Sequence, residues 1–232
     1  MNGLRKVRRF VIDKDLYHAM PLIAYMFLYL IWFRILEVVP RSHYYQVVFD
    51  YDRLIPFVEI FVIPYISWFF FIVFGTAVLY FTDRKSYDEL QTMLMLGMTL
   101  FLLISTFLPN RQPLRLIEMP RNNIFTRMVA GLWKTDSPTN VWPSIHVYNS
   151  AAIAVAFFNS EAHKLRRPWF RIAIIVWSIL IILSTVFIKQ HTLFDMVTAL
   201  SFMIMIYVST YTFGFVYHCK LWDSLWKKQM SE

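Results

Sequence analysis

Residues 184–195 read Ser-Thr-Val-Phe-Ile-Lys-Gln-His-Thr-Leu-Phe-Asp. His191 and Asp195 are four residues apart, so on a helix they share a face. A carboxylate that accepts a hydrogen bond from one imidazole nitrogen fixes the tautomer and supports positive charge on the ring. The other nitrogen is then free to attack as a nucleophile. A second stretch, residues 139–150, reads Thr-Asn-Val-Trp-Pro-Ser-Ile-His-Val-Tyr-Asn-Ser. Pro143 suits the first turn of a helix. The N–H groups after it, and the Ser144 hydroxyl, could hold an anion. His146 could then protonate a leaving oxygen. A third stretch, residues 108–116, reads Leu-Pro-Asn-Arg-Gln-Pro-Leu-Arg-Leu, and the forks of Arg111 and Arg115 match phosphate in shape and charge. Nucleophile, orienting carboxylate, general acid and cations are the equipment for phosphoryl transfer through a phosphohistidine.

The same side chains invite a metal reading. His191, Asp195 and His146 are all possible ligands. No carboxylate cluster accompanies them, however, and the neighbouring arginines and lysine would repel a cation. The expected chemistry needs no metal and no cofactor. A lone histidine at a membrane interface usually packs or snorkels. Two histidines, an aspartate and arginines gathered on one face are harder to dismiss, because ionisable groups at membrane depth are functional candidates by default.

The elements that must position these residues are membrane helices. The chain is 58% hydrophobic and only 16% charged, too little polar surface for a soluble globule, which carries about 25% charged residues. Six apolar runs stand out, at roughly 20–39, 54–81, 91–108, 144–160, 169–188 and 194–217, each near the ~20 residues needed to cross hydrocarbon. The expected fold is therefore all-α, a polytopic six-helix bundle, with residues 1–232 as a single membrane domain. The second run is long, so it tilts, kinks at Pro64, or begins along the interface. The fourth is the least apolar and needs neighbours around it. The first run is too long for a signal peptide and lacks a small-residue cleavage site. Cys219 is the only cysteine, so no intrachain disulfide forms. No small-xxx-small glycine pair marks a dimer face, and the oligomeric state is left open.

A net charge of +8 raises the question of nucleic acid. Its distribution argues against that partner. Arg5, Lys6, Arg8, Arg9, Lys14, Arg84, Lys85, Lys164, Arg166, Arg167, Lys220, Lys227 and Lys228 gather at one set of span ends, and a smaller group at the other. The positive-inside rule makes the first side cytoplasmic, with both termini inside. All three polar stretches then face outward. The loop 109–143 carries Arg111, Arg115, Arg121, Arg127 and Lys134, more than topology requires. At least one of these binding a phosphate is one reading; contact with lipid head groups is the other.

The order and spacing of the three stretches resemble the type 2 phosphatidic acid phosphatase superfamily, six-helix membrane lipid phosphatases related to vanadium haloperoxidases. That family's third motif is Ser-Arg, five residues, His, three residues, Asp; here Ser184, Thr185, His191 and Asp195 stand at that spacing. Its second motif, Pro-Ser-Gly-His, is matched by Pro143, Ser144, Ile145 and His146, and its first ends Arg-Pro, best matched by Arg115-Leu116. The resemblance implies that His191 is the nucleophile, Asp195 its partner and His146 the acid. Arg115, Ser144 and the Ile145 N–H would hold the phosphate. Three positions depart from the pattern: Leu108 replaces a lysine, Ile145 a glycine, and Thr185 an arginine. Lys189, four residues after Thr185, would reach the same helical face and compensate, with Arg111 or Arg121 supplying further charge.

The resemblance implies a metal-independent lipid phosphate phosphatase at the outer membrane face. Its substrate would be a membrane lipid phosphate such as phosphatidic acid, phosphatidylglycerol phosphate or a polyprenyl diphosphate. Ser184-Thr185 also resembles inositol phosphorylceramide synthases, which keeps a phosphotransferase of the same fold in view. A lipid transporter binding head groups through the basic loop is the non-enzymatic alternative. The compact chain with short tails suggests a bacterial plasma membrane. Lesser readings concern Glu59, lining the cleft or paired with an arginine; Arg34 and Glu37, expected to pair; Asp136 and Asn140, expected to shape a loop rather than react; and Tyr148 and Asn149, touching a head group or, the favoured reading, packed in the core.

Overall fold

The least apolar run becomes the axis of the bundle. In the computed structural model, which describes residues 18–214, the main helices are α1 (Met20–Val38), α2 (Asp50–Leu54), α3 (Val62–Thr82), α4 (Arg84–Phe107), α5 (Ile124–Thr135), α6 (Ile145–Asn159), α7 (Pro168–Phe187) and α8 (Leu193–Tyr207). α6 packs against α3, α4, α7 and α8. Its buried residues include Asn149, Ser150, Ala151, Ala152 and Ala156. A helix wrapped by protein on four sides need not be apolar, and its small side chains let the neighbours approach. With 15 residues it spans about 22 Å, short of the ~30 Å hydrocarbon layer. Gly97 of α4 lies against the Tyr148 ring, where a Cβ would clash. Tyr148 stays in the core, and its hydroxyl donates to the Met93 carbonyl at 2.8 Å.

Among the described residues, five helices are long and apolar enough to cross a membrane: Met20–Val38, Glu59–Thr82, Arg84–Phe107, Pro168–Phe187 and Leu193–Thr212. α1 and α4 run side by side, joined by Tyr25 to Thr99 at 2.8 Å and Trp32 to Thr106 at 3.1 Å. The last stretch of the predicted final run lies outside the described residues, as do Arg5, Lys6, Arg8, Arg9, Lys14, Cys219, Lys220, Lys227 and Lys228.

Two boundaries differ from expectation. The second run does not begin at 54: α2 ends there, an extended segment follows, and a 3-10 turn at Glu59–Phe61 leads into α3. Pro64 falls in the first turn of α3, where its missing N–H costs nothing, so no kink arises there. α4 starts well before residue 91, because charged residues there form i,i+4 pairs, Arg84–Asp88 and Lys85–Glu89, each at 3.9 Å. The helical class also admits two short parallel strands, β1 (Tyr45–Gln46) and β2 (Asn110–Arg111).

Asp83 caps α4 and gathers four donors. Its carboxylate accepts from Ser86 N at 3.2 Å, Ser86 Oγ at 3.0 Å, Ser160 Oγ at 2.6 Å and Glu161 N at 3.2 Å. Burial pushes this carboxyl up, but the hydrogen bonds from Ser160, Ser86 and Glu161 outweigh it and hold it below its usual range. Asp83→Ala should cost about 2 kcal/mol, from a lost cap and lost bonds to the end of α6. A depressed carboxyl contributes stability above the unfolded pKa of about 3.9, and loses it as pH falls through the folded value. The gap in thermal midpoint between wild type and variant should therefore close on acidification; a gap that widens would contradict the assignment.

Candidate active site

α6 begins at Ser144, whose Oγ accepts from Val147 N at 3.4 Å. The first N–H groups of such a helix have no intrahelical partner and can serve an anion. His146 follows in the first turn. Its ring lies 4.5 Å from the Tyr65 ring, stacked, and 4.1 Å from Trp68, both on α3. Its Nδ1 is buried without a partner among the described residues. The Ile145 side chain packs beside Tyr29, Met98 and Phe101.

His191 lies in the turn between α7 and α8. α7 closes through two bonds, Gln190 N to Thr185 O at 3.0 Å and Lys189 N to Val186 O at 3.2 Å, with Lys189 left-handed between them at φ 56°. This is the Schellman closure, in which glycine is the usual left-handed residue. α8 then opens on Thr192, which caps Asp195 N at 3.1 Å while Asp195 Oδ2 accepts Thr192 N at 2.9 Å. The same Oδ2 faces His191 Nδ1 at 3.3 Å. Asp195 is fully buried, and its Oδ1 has no partner among the described residues. Ser144 N reaches the Asp195 carbonyl at 3.5 Å and ties the two helix starts together. The His146 and His191 rings are 5.6 Å apart. They line a narrow cleft with Tyr65, Asp136, Asn140 and Gln190, holding a free volume of about 40 Å³, room for a few waters.

The structure thus brings Ser144, Ile145, His146, His191 and Asp195 together. The expected cations stand elsewhere. Lys189 does not share a helical face with Thr185, because α7 ends at Phe187 and the backbone reverses at Lys189. Its ammonium donates to the carbonyls of Asp52 at 2.9 Å and Ile55 at 2.5 Å, at the end of α2. Burial lowers its pKa, against the raising effect of Asp52. Arg111 lies exposed on β2, beside Arg41 and His43. Arg121 is held by Glu59 in a two-pronged pair at 2.7 and 2.6 Å, and Asn123 joins at 2.9 Å, which decides the Glu59 question in favour of pairing. The Ser184 and Thr185 hydroxyls turn back to Ile181 O and Ile182 O. Glu37 accepts from Asn140 at 2.8 Å and Ser137 at 2.5 Å, and no Arg34–Glu37 pair forms among the described residues.

Arg115 is half-buried just behind the cleft. Its guanidinium donates to Trp133 O at 2.8 Å, Asp136 O at 2.7 Å and Gln190 Oε1 at 2.7 Å. Burial lowers its pKa, and Asp136 opposes that. Burial raises the Asp136 carboxyl, while His191 and Arg115 pull it down.

The loop carrying His191 is held by residues that sequence reasoning missed. Gln112 Nε2 donates to Lys189 O at 2.9 Å and Gln190 O at 3.3 Å, and Trp133 Nε1 to Ile188 O at 3.2 Å. The fully buried Asp52 accepts Leu193 N at 2.8 Å, an acid on the first turn of α8. Gln190 sits within the quoted motif stretch, so its position was a signal. Nothing local marks Asp52.

These contacts make Lys189 a strut, and the strut has a measurable signature. Lys189→Ala should lower stability by about 2 kcal/mol by stranding two carbonyls. Lys189→Gly, which suits the left-handed backbone, should be more stable than Lys189→Ala by about 1 kcal/mol. Thermal unfolding in detergent reads the order of the two, and the reverse order would remove the strain argument.

A model of the PAP2 superfamily matches residues 94–219, more than half of the chain. The chain belongs to this superfamily. No curated protein and no solved structure matches it. Membership in the PAP2 superfamily, with five long apolar helices, marks an integral membrane protein of the lipid phosphate phosphatase or phosphotransferase kind. The PAP2 match contains all three motif stretches. It begins after Asp52, Glu59, Tyr65 and Trp68, so the walls and struts those residues supply lie outside it.

Proposed function

We propose that the protein is a metal-independent lipid phosphate phosphatase, working through a phosphohistidine on the extracytoplasmic face of the membrane. The observation that carries this is the pairing of two histidine rings across one cleft, 5.6 Å apart, with a buried carboxylate on the far nitrogen of one of them. Asp195 on Nδ1 leaves the His191 Nε2 to attack phosphorus. The P–O bond to the lipid breaks, and His146 delivers a proton to the departing oxygen. Water then attacks the phosphohistidine and gives its proton to His146. The P–N bond breaks, its electron pair returns to Nε2, and phosphate leaves. Ser144 and the N–H groups at the start of α6 hold the phosphoryl oxygens, while Arg115 and Lys189 position the loops around them. The orientation rests on the excess of basic residues that the sequence places at the other set of span ends.

One observation favours a second reading, a phosphotransferase of the same fold. Lys189, Arg121 and Arg115 all donate to protein oxygens, so few cations are free to meet a doubly charged phosphate. Purified protein in detergent with EDTA, given a panel of lipid phosphates with and without an acceptor alcohol, separates the two. Phosphate release to water supports the phosphatase; product formed only with the alcohol supports the transferase. Both require an alkali-stable, acid-labile phosphoenzyme on His191. Neither product nor phosphoenzyme from any lipid would overturn both readings and leave the transporter.

A further inference from the structure

The cleft holds a carboxylate that the reaction scheme does not use. Asp136 lines it with both histidines. One oxygen, Oδ2, is occupied: Gln190 Nε2 donates to it at 2.9 Å and the Tyr65 hydroxyl reaches it at 3.4 Å. The other oxygen, Oδ1, has no hydrogen-bond partner among the described residues and is not sealed from solvent. The Asp136 carbonyl is held by Arg115 at 2.7 Å, so this carboxylate sits on a braced loop. Next to it, Glu37 accepts from Ser137 and Asn140 under the same loop. The polar wall facing the histidines is therefore acidic, hydroxylic and amidic.

Such a wall is wrong for a bare phosphomonoester. A monoester carries close to two negative charges at neutral pH and offers no donor. A free carboxylate oxygen beside it is repelled and left unpaired, and a polar group desolvated without a partner is the strongest source of discrimination a site has. A phosphodiester carries one charge less. If the group on its far side bears a hydroxyl or an ammonium, that group supplies the donor the carboxylate needs.

We infer that Asp136 is a specificity-determining residue whose free oxygen binds a hydrogen-bond-donating head group on a phosphodiester lipid, an inference that rests on the phosphotransferase reading above. The site then takes lipids whose phosphorus carries a hydroxylated or amine head group in preference to lipids ending in phosphate. Gln190 and Tyr65 set the direction of the carboxylate, and Arg115 sets its depth.

The test is equilibrium binding in a His191→Ala background, so that nothing turns over. The probes are short-chain lipids with identical tails carrying glycerol, ethanolamine, choline or no head group on the phosphate. Glycerol or ethanolamine should bind about tenfold or more tighter than the bare phosphate and the choline lipid, which lacks a donor. The stronger of the two says whether the donor is a hydroxyl or an ammonium. Asp136→Asn still accepts from Gln190 and Tyr65 but presents an amide to the cleft, and it should erase that preference. Tightest binding of the bare phosphate lipid, equal binding of choline and ethanolamine, no binding of any lipid, or a preference that survives Asp136→Asn would each overturn the inference. Should Asp136→Asn fail to fold, the wild-type order still decides. Phosphoenzyme trapping on the wild type is scored separately. A head-group preference without a phosphoenzyme sinks the catalytic reading alone, and a phosphoenzyme without the preference sinks this inference alone.

Discussion

Alanine at position 191 should cut turnover by at least about 10⁴-fold, because in the proposed mechanism it removes the atom that forms the covalent intermediate. His191 is also part of a packed pair. Its loss leaves Asp195 with Oδ1 and the face of Oδ2 toward the cleft without a donor, deep in the protein. A drop in stability is therefore expected alongside the drop in rate, and rate alone would not separate the two. His191→Gln does so, since it fills similar space and offers a donor to Asp195 while lacking a nucleophilic nitrogen. Both variants should be inactive, and the glutamine form should melt closer to wild type. Radiolabelled lipid phosphate should leave acid-labile label on wild-type protein and none on either variant. A glutamine variant that keeps even a hundredth of wild-type turnover would exclude His191 as the nucleophile.

His146 should matter in proportion to how poor the leaving group is. A positioned acid contributes about 10² to 10⁴-fold when the departing oxygen needs a proton. A lipid alkoxide needs one badly; a nitrophenolate does not. His146→Gln should therefore lose nearly all activity on the lipid and far less on a nitrophenyl ester of the same phosphate. Glutamine is preferred to alanine here because the ring fills the slot between Tyr65 and Trp68, and an empty slot would confuse chemistry with collapse. Equal losses on both substrates would place His146 in binding or packing and leave the proton to another group.

What the sequence revealed, and what it hid, divides along the range of the interactions. His191 and Asp195 were legible because a four-residue spacing survives translation into three dimensions whenever a helix or its cap contains it. Ser144 and His146 were legible for the same reason, as parts of one helix start. The fourth apolar run was readable as a helix in need of neighbours, since its alanines and serines only make sense when wrapped. Lys189 was misplaced by the same logic applied one step too far. The face argument assumed that α7 continued, and a lysine gives no sign that it will take a left-handed turn where glycine is usual. Asp52 was invisible: it meets Leu193 across 141 positions, and its own neighbourhood reads as an ordinary interfacial stretch. Arg115 was read as a phosphate ligand, and its guanidinium donates to three protein oxygens behind the cleft.

The anchoring of the His191 turn bears on how such a protein is made. Ile188, Lys189, Gln190 and Leu193 find their partners on segments that emerge from the ribosome much earlier, at Asp52, Ile55, Gln112 and Trp133. The turn that carries the nucleophile is thus the last piece laid onto a seat already built. In the proposed mechanism, a nascent chain that has not yet reached His191 holds the acid and the cleft walls but no nucleophile. On the proposed roles, a product truncated before His191 carries no nucleophile.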